Sequence, residues 1–190
     1  MIAKKNEVKL RLRVNLVVCK VNLGRRVDIK KMGRWLTKSK KSTSRKLIAK
    51  LGGGRRLWLF DTGSGVLSGF KNMDEVKEAV ERLAEYLRIK KDKIKVAVAN
   101  IQASGGIGCG IDLYLLAQRI IEAGGTVQYI LGVGGFPNMF YHLKNAKGTA
   151  IISARGNISV VGIKSFSDIP KIRKELEQLL NSNKDCLQPL

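Results

Sequence analysis

The chain has 190 residues, 44% of them hydrophobic, with 36 Lys and Arg against 15 Asp and Glu, a formal net charge of +21. That is length for one ordinary domain or two small ones, and apolar enough for a core, so low-complexity disorder is excluded as the main state. No run of about 18 apolar residues occurs, which excludes a transmembrane helix, and the N-terminus has no apolar leader core, so an intracellular protein without membrane contact is expected.

Val8 to Asn22 alternates and is β-branched, which predicts a long strand. Val27 to Leu36 has apolar residues at helical spacing. A basic loop follows at 37–44. Leu47–Leu51, Arg55–Asp61 and Gly65–Gly69 then read as short strands separated by glycine turns. Asn72 and Glu75, three apart, predict the start of a helix running to Leu87, with Val76, Val80, Leu83 and Leu87 as its buried stripe. The second half repeats the order. It has a strand from Ile94 to Ser104, a helix from Ile111 to Ala123 stopped by Gly124-Gly125, strands at 127–133, 139–144, 149–153 and 157–161, and a closing helix from Ser167 to Leu180. Asn181 to Lys184 reads as the start of a frayed tail.

Cys19, Cys109 and Cys186 are odd in number and contain no C-x-x-C spacing, and His142 is the single histidine. Neither a disulfide framework, a zinc site nor a nucleophile triad is suggested. No catalysis, metal or cofactor is expected.

The charge is uneven. Residues 1–56 hold 19 Lys and Arg against Glu7 and Asp28, a net of +17, whereas residues 57–190 carry a net of +4. The run Lys38 to Lys46 is densest. A polyanion is the natural partner for such a first third, with Arg45, Lys46 and Arg55 as candidate phosphate contacts.

The two halves are an internal repeat. Leu59 to Lys71 aligns without a gap on Ile152 to Lys164 at an offset of 93, setting Gly63 on Gly156 and Gly69 on Gly162. Upstream, Val27-Asp28-Ile29 falls on Ile111-Asp112-Leu113 at an offset of 84. The reading is an α+β protein of two half-domains, 1–91 and 92–181, with a short tail at 182–190. Sheets join, helices pack on one face, and the other face stays open.

These residues resemble the TATA-box-binding protein family. The resemblance is carried by Val14-Asn15-Leu16-Val17, Val21 to Asp28, the hairpin Leu57 to Lys71, Ala99-Asn100-Ile101-Gln102 and Phe136 to Tyr141, and spans roughly residues 9–181. It implies a saddle, a curved antiparallel sheet with helices on its convex face, and a transcription factor that binds and bends A·T-rich double-stranded DNA through the minor groove. That groove offers acceptors in A·T pairs, so an asparagine amide can donate there without separating A·T from T·A. On the family's pattern Asn15 and Asn100 take the two central amide positions. Val17, Val66, Ile151 and Val161 take apolar positions, with Ser68 on the same surface. Phe60 and Phe136 are wedges that enter base steps, a mechanism of which this family is itself the type example.

Several positions depart from the family. Ser153 stands where a partner wedge belongs, and the other partner wedge falls near Lys46 and Leu47. Gln102 and Ser159 replace valines, and Trp58 replaces an aliphatic residue. The strand holding Asn15 is read with one extra residue before Asp28. Gly132 to Gly135 stands where the family carries acidic residues that dock a factor-B-type partner. The alternative reading is a basic, weakly specific nucleic-acid binder, or a saddle turned to another partner.

Overall fold

The computed structural model describes residues 7–35, 46–131 and 137–189. Along the chain run β1 (Arg13–Asn22), α1 (Ile29–Trp35), β2 (Lys46–Gly52), β3 (Arg55–Phe60), β4 (Ser64–Phe70) and α2 (Met73–Leu87). There follow β5 (Lys95–Gly106), β6 (Gly110–Ile111), α3 (Leu113–Glu122), β7 (Val127–Leu131), β8 (Pro137–His142), β9 (Thr149–Ser153), β10 (Asn157–Ile163), α4 (Asp168–Ser182) and β11 (Leu187–Gln188). The fold is α+β. Spatially the chain divides into two compact units, Asn15–Ile101 in one, and residues up to Val14 together with Gln102 onwards in the other. The sequence halves meet at 91/92, whereas strands β1 and β5 each pass from one unit to the other.

In the unit Asn15–Ile101 the antiparallel strands lie in the order β2-β3-β4-β1. Their alternation puts Val17, Cys19, Leu47, Ala49, Leu57, Leu59, Leu67 and Phe70 on one buried face. Helix α2 covers it, with Ala79 and Leu83 lining a groove with Leu57, Leu67 and Phe70. The helix starts as its sequence demands. The Asn72 side chain accepts from the Glu75 N–H at 2.9 Å, and the Glu75 carboxylate accepts from the Lys71 N–H at 3.0 Å. Val76, Val80 and Leu83 supply its buried stripe. Burial pushes the Cys19 thiol above its ordinary pKa, so it stays a neutral apolar filler.

In the other unit the antiparallel order is β10-β9-β8-β7. Asp112 caps α3, accepting from the Tyr114 and Leu115 N–H groups. Gly124, at φ +70°, ends it while the Gly125 N–H donates to Ile120. Glu175 of α4 is buried, and it is fully employed. It accepts from the Tyr141 hydroxyl at 3.0 Å and from the Lys144 and Asn145 N–H groups at 2.7 and 2.9 Å, tying the β8–β9 turn to the helix. Burial, followed by the neighbouring carboxylate, drives the Tyr141 phenol well above its ordinary pKa.

Two segments differ from the sequence expectation. Residues 8–12 alternate like a strand but are not in the ladder. The Val8 N–H donates to the Asn181 side chain and the Leu10 N–H to Glu177, so α4 takes the backbone groups a neighbouring strand would have satisfied. The tail is docked rather than frayed. Leu187 and Gln188 pair with Ile111 and Gly110, Cys186 is fully buried, and Arg119 meets Asp185 at 3.3 Å.

The repeat is written into backbone contacts. In one unit the Leu23 N–H donates to the Gly63 carbonyl and Val27 to Asp61, both at 2.9 Å. In the other, Ile107 donates to Gly156 at 3.2 Å and Ile111 to Ala154 at 2.8 Å. These are the same two bonds shifted by the sequence offsets of 84 and 93. Gly63 and Gly156 both have positive φ, +85° and +74°. A Cβ at either would run into a carbonyl oxygen, that of Arg25 or of Cys109, again 84 apart.

Gly69 and Gly162 are likewise paired, at φ +90° and +83°. Gly69 is the extra residue of a bulge, for Val17 pairs with Phe70 and Val18 with Ser68. Their surroundings differ. A Cβ at Gly69 would lie 2.6 Å from the Gly54 oxygen, whereas one at Gly162 meets the Gly148 Cα at 3.4 Å. Gly162→Ala is therefore expected to cost about 1 kcal/mol, the strain of a left-handed residue. Gly69→Ala adds a backbone clash and should cost at least about 2 kcal/mol. Denaturant unfolding of the two variants checks the order.

Candidate nucleic-acid interface

Because side chains alternate across a strand, burying one face by helices fixes what the other presents. In the unit Asn15–Ile101 that open face carries Trp58 and Phe60 of β3, Val66 and Ser68 of β4, and Lys46 of β2. Phe60 is 40% exposed. The register assembles them in transverse rows. Ile48 pairs with Trp58, Trp58 with Val66, and Val66 with Lys20. Lys46 lies opposite Phe60. In the other unit the open face holds Ile151 and Ser153 of β9, and Ser159 and Val161 of β10, all at least partly exposed. Ser153 lies opposite Asn138, and Ser159 opposite Ile151. On β5, Ile101 and Ala103 are buried, so Asn100 and Gln102 take the opposite, accessible face.

Five expectations need correction. Val17 is fully buried at the parity of Cys19 and Val21, on the helix-covered face. Asn15 is exposed but shares that parity, so Leu16 and Val18 are the open-face residues of β1. The extra residue read into β1 is absent there, and the irregularity is the Gly69 bulge in β4. A one-residue slip moves every side chain to the other face. Leu47 is fully buried too and cannot wedge. Arg55 points to the helix side, where it meets Glu75 at 3.3 Å and lies over the Phe70 ring at 5.7 Å. Its neighbour Arg56 is the exposed one, paired with Lys50 and Ser68. Arg45 and Phe136 lie outside the described residues.

Sequence reasoning missed Lys20, Lys50, Arg56 and Phe140. Phe140 stands on the open face of β8, opposite Gln128 and Ile151. Parity would have found each of them, counted from Trp58, Phe60 and Ile151. Carrying the offset of 84 unbroken from Asp28/Asp112 back along the strand would also have set Leu16 on Asn100 and Val18 on Gln102.

The chain's kinship follows the same lines. The family model "Transcription factor TFIID (or TATA-binding protein, TBP)" matches residues 95–182. The TATA-box-binding protein of Pyrobaculum islandicum is 28% identical over 180 residues, 91% of this chain and 86% of that protein. The TATA-box-binding protein of Pyrococcus furiosus is 27% identical over 179 residues, 90% and 91% of the two chains. The solved TBP of Methanococcus jannaschii has the same fold, with a TM-score of 0.76 at 19% identity over 90% of this chain and 99% of that one. These similarities support a divergent member of the TATA-box-binding protein family.

The facing of β1 is directly testable. Val17→Lys puts an ammonium into the packed face and should cost several kcal/mol or prevent folding. Val18→Lys, on the open face, should stay within about 1 kcal/mol of the parent. Thermal unfolding followed by circular dichroism reads the difference. Equal losses would place both residues in the core.

Proposed function

We propose that the chain is a TATA-box-binding transcription factor. It binds A·T-rich duplex DNA through the minor groove with its open sheet faces and bends it, nucleating transcription initiation. The observation that carries this reading is a helix-covered sheet in each unit whose other face is lined by β-branched and aromatic side chains. Such a face suits a groove that offers acceptors and little else, and its apolar residues exclude water and reject the guanine amino group. Phe60, exposed at the end of β3, is the wedge. Phe136 is its proposed counterpart in the second half. Asn100 and Gln102 offer amides, and Lys46 and Arg56 hold phosphates. The deformation energy of the duplex is offset by these contacts, with no catalysis required. Family membership supports contact with the transcription machinery, although Gly132 to Gly135 lacks the acidic side chains for docking a factor-B-type protein.

A second reading is favoured by Ser153 and by the cations of the first half. It is a binder of duplex DNA with weak sequence preference and a shallow bend. A titration separates the two. A TATA duplex and a G·C-rich duplex, each carrying a fluorescent pair at its ends, are bound at two salt concentrations. The first reading predicts tighter TATA binding with end-to-end shortening that Phe60→Ala abolishes, at about a tenfold loss of affinity. Equal, steeply salt-dependent binding without shortening contradicts it and supports the second.

A further inference from the structure

The open face of the unit Asn15–Ile101 carries two rings, Trp58 and Phe60, among four cations, Lys20, Lys46, Lys50 and Arg56. We propose that this face is also a binding site for single-stranded nucleic acid, whose bases stack on Trp58 and Phe60 while Lys46, Lys50, Arg56 and Lys20 hold its phosphates. The inference rests on the reading of this face as a nucleic-acid surface and adds a second ligand to it.

The geometry is that of a stacking platform. Trp58 and Phe60 are alternate residues of one strand, so both rings stand on the same face, about 6.6 Å apart along β3. Successive bases in a duplex are about 3.4 Å apart, so two rings at twice that step suit bases already drawn apart. Ring-bearing open sheets flanked by cations bind single strands in this way. Each ring has its cation. Lys46 lies directly opposite Phe60. Arg56 precedes Trp58 by two residues, on the same face, and pairs with Lys50. Lys20 pairs with Val66, itself the partner of Trp58. Among the described open-face strand positions of this unit none is Asp or Glu. Asp61, just beyond Phe60, is held by Arg26 at 2.8 Å.

The repeat supplies an internal comparison. The places equivalent to Trp58 and Phe60 are Ile151 and Ser153, and Ser159 and Val161 stand beside them where the first unit has Val66 and Ser68. The second unit therefore offers neither paired rings nor lysines on those strands. Stacking is assigned to the first unit alone.

The test uses the full chain with Trp35→Phe, leaving Trp58 as the sole tryptophan of the two. Short oligo(dT) and oligo(rU) are titrated while Trp58 fluorescence is followed, with the TATA duplex in parallel, and circular dichroism confirms that each variant folds. Quenching by a single strand is expected, and the two oligonucleotides separate DNA from RNA as the better ligand. Phe60→Ala should weaken single-strand affinity about tenfold, the scale of one lost base stack. Trp58→Phe, followed by anisotropy of a labelled strand, should retain most of it, Trp58→Ala should not, and Ser153→Ala should change nothing. Duplex binding without single-strand binding overturns the inference and leaves the reading it rests on. Single-strand affinity indifferent to Trp58→Ala and Phe60→Ala also overturns it, since phosphate contacts alone would then account for binding. Failure of duplex and single strand alike overturns both.

Discussion

In both units the turn glycine of one hairpin accepts a hydrogen bond from the segment that leads into the first helix. Gly63 takes the Leu23 N–H and Gly156 takes Ile107, while Asp61 and Ala154 take Val27 and Ile111. Each glycine sits where a Cβ would strike a backbone carbonyl, so the approach is as close as the chain permits. This contact fixes where the first strand lies against the hairpin. Register then decides facing, because the period of a strand is two and a slip of one residue inverts it. Much of the molecule's chemistry is downstream of that choice.

Its consequence is a division of labour between faces. The covered side takes Leu57, Leu59, Leu67 and Phe70, with α2 laid over them, and even its charged group Arg55 is engaged by Glu75 and the Phe70 ring. The open side keeps Trp58, Phe60 and the cations. The second unit obeys the same geometry with different content. Its buried polar group, Glu175, is spent on Tyr141 and the β8–β9 turn, and its open face holds serines, a single phenylalanine on β8 and no lysine on β8, β9 or β10. Both units share one plan, and the first places Trp58, Phe60, Lys46 and Lys50 on its open face.

Much of this was legible in the residues. Helix α2 announced itself through Asn72, Glu75 and a heptad-like apolar stripe, and strand β9 runs over the predicted Thr149–Ser153. The repeat was visible because glycines with obligatory positive φ leave a fixed spacing. The misreadings share a cause. Strand periodicity gives alternation but not its phase, and a motif that tolerates an inserted residue sets Asn15 and Val17 one position off. Leu47 follows from where the family's partner wedge falls, and Arg55 from the charge of the first third, whereas parity from Trp58 gives Ile48 and Arg56. Residues 8–12 looked like strand because alternation records a half-buried extended segment without naming its partner, here the side chains of α4. The tail's docking depends on β6, a two-residue edge with no sequence signature.

Hydroxyl-radical labelling of the full chain, read residue by residue with and without a saturating TATA duplex, tests the central claim that the open sheet face is the nucleic-acid surface. The account predicts strong protection of Trp58 and Phe60, with Tyr114 of α3, 69% exposed on a helix, labelled equally in both samples. Protection of Tyr114 with Trp58 and Phe60 unchanged would contradict it, placing the nucleic acid on the helices instead.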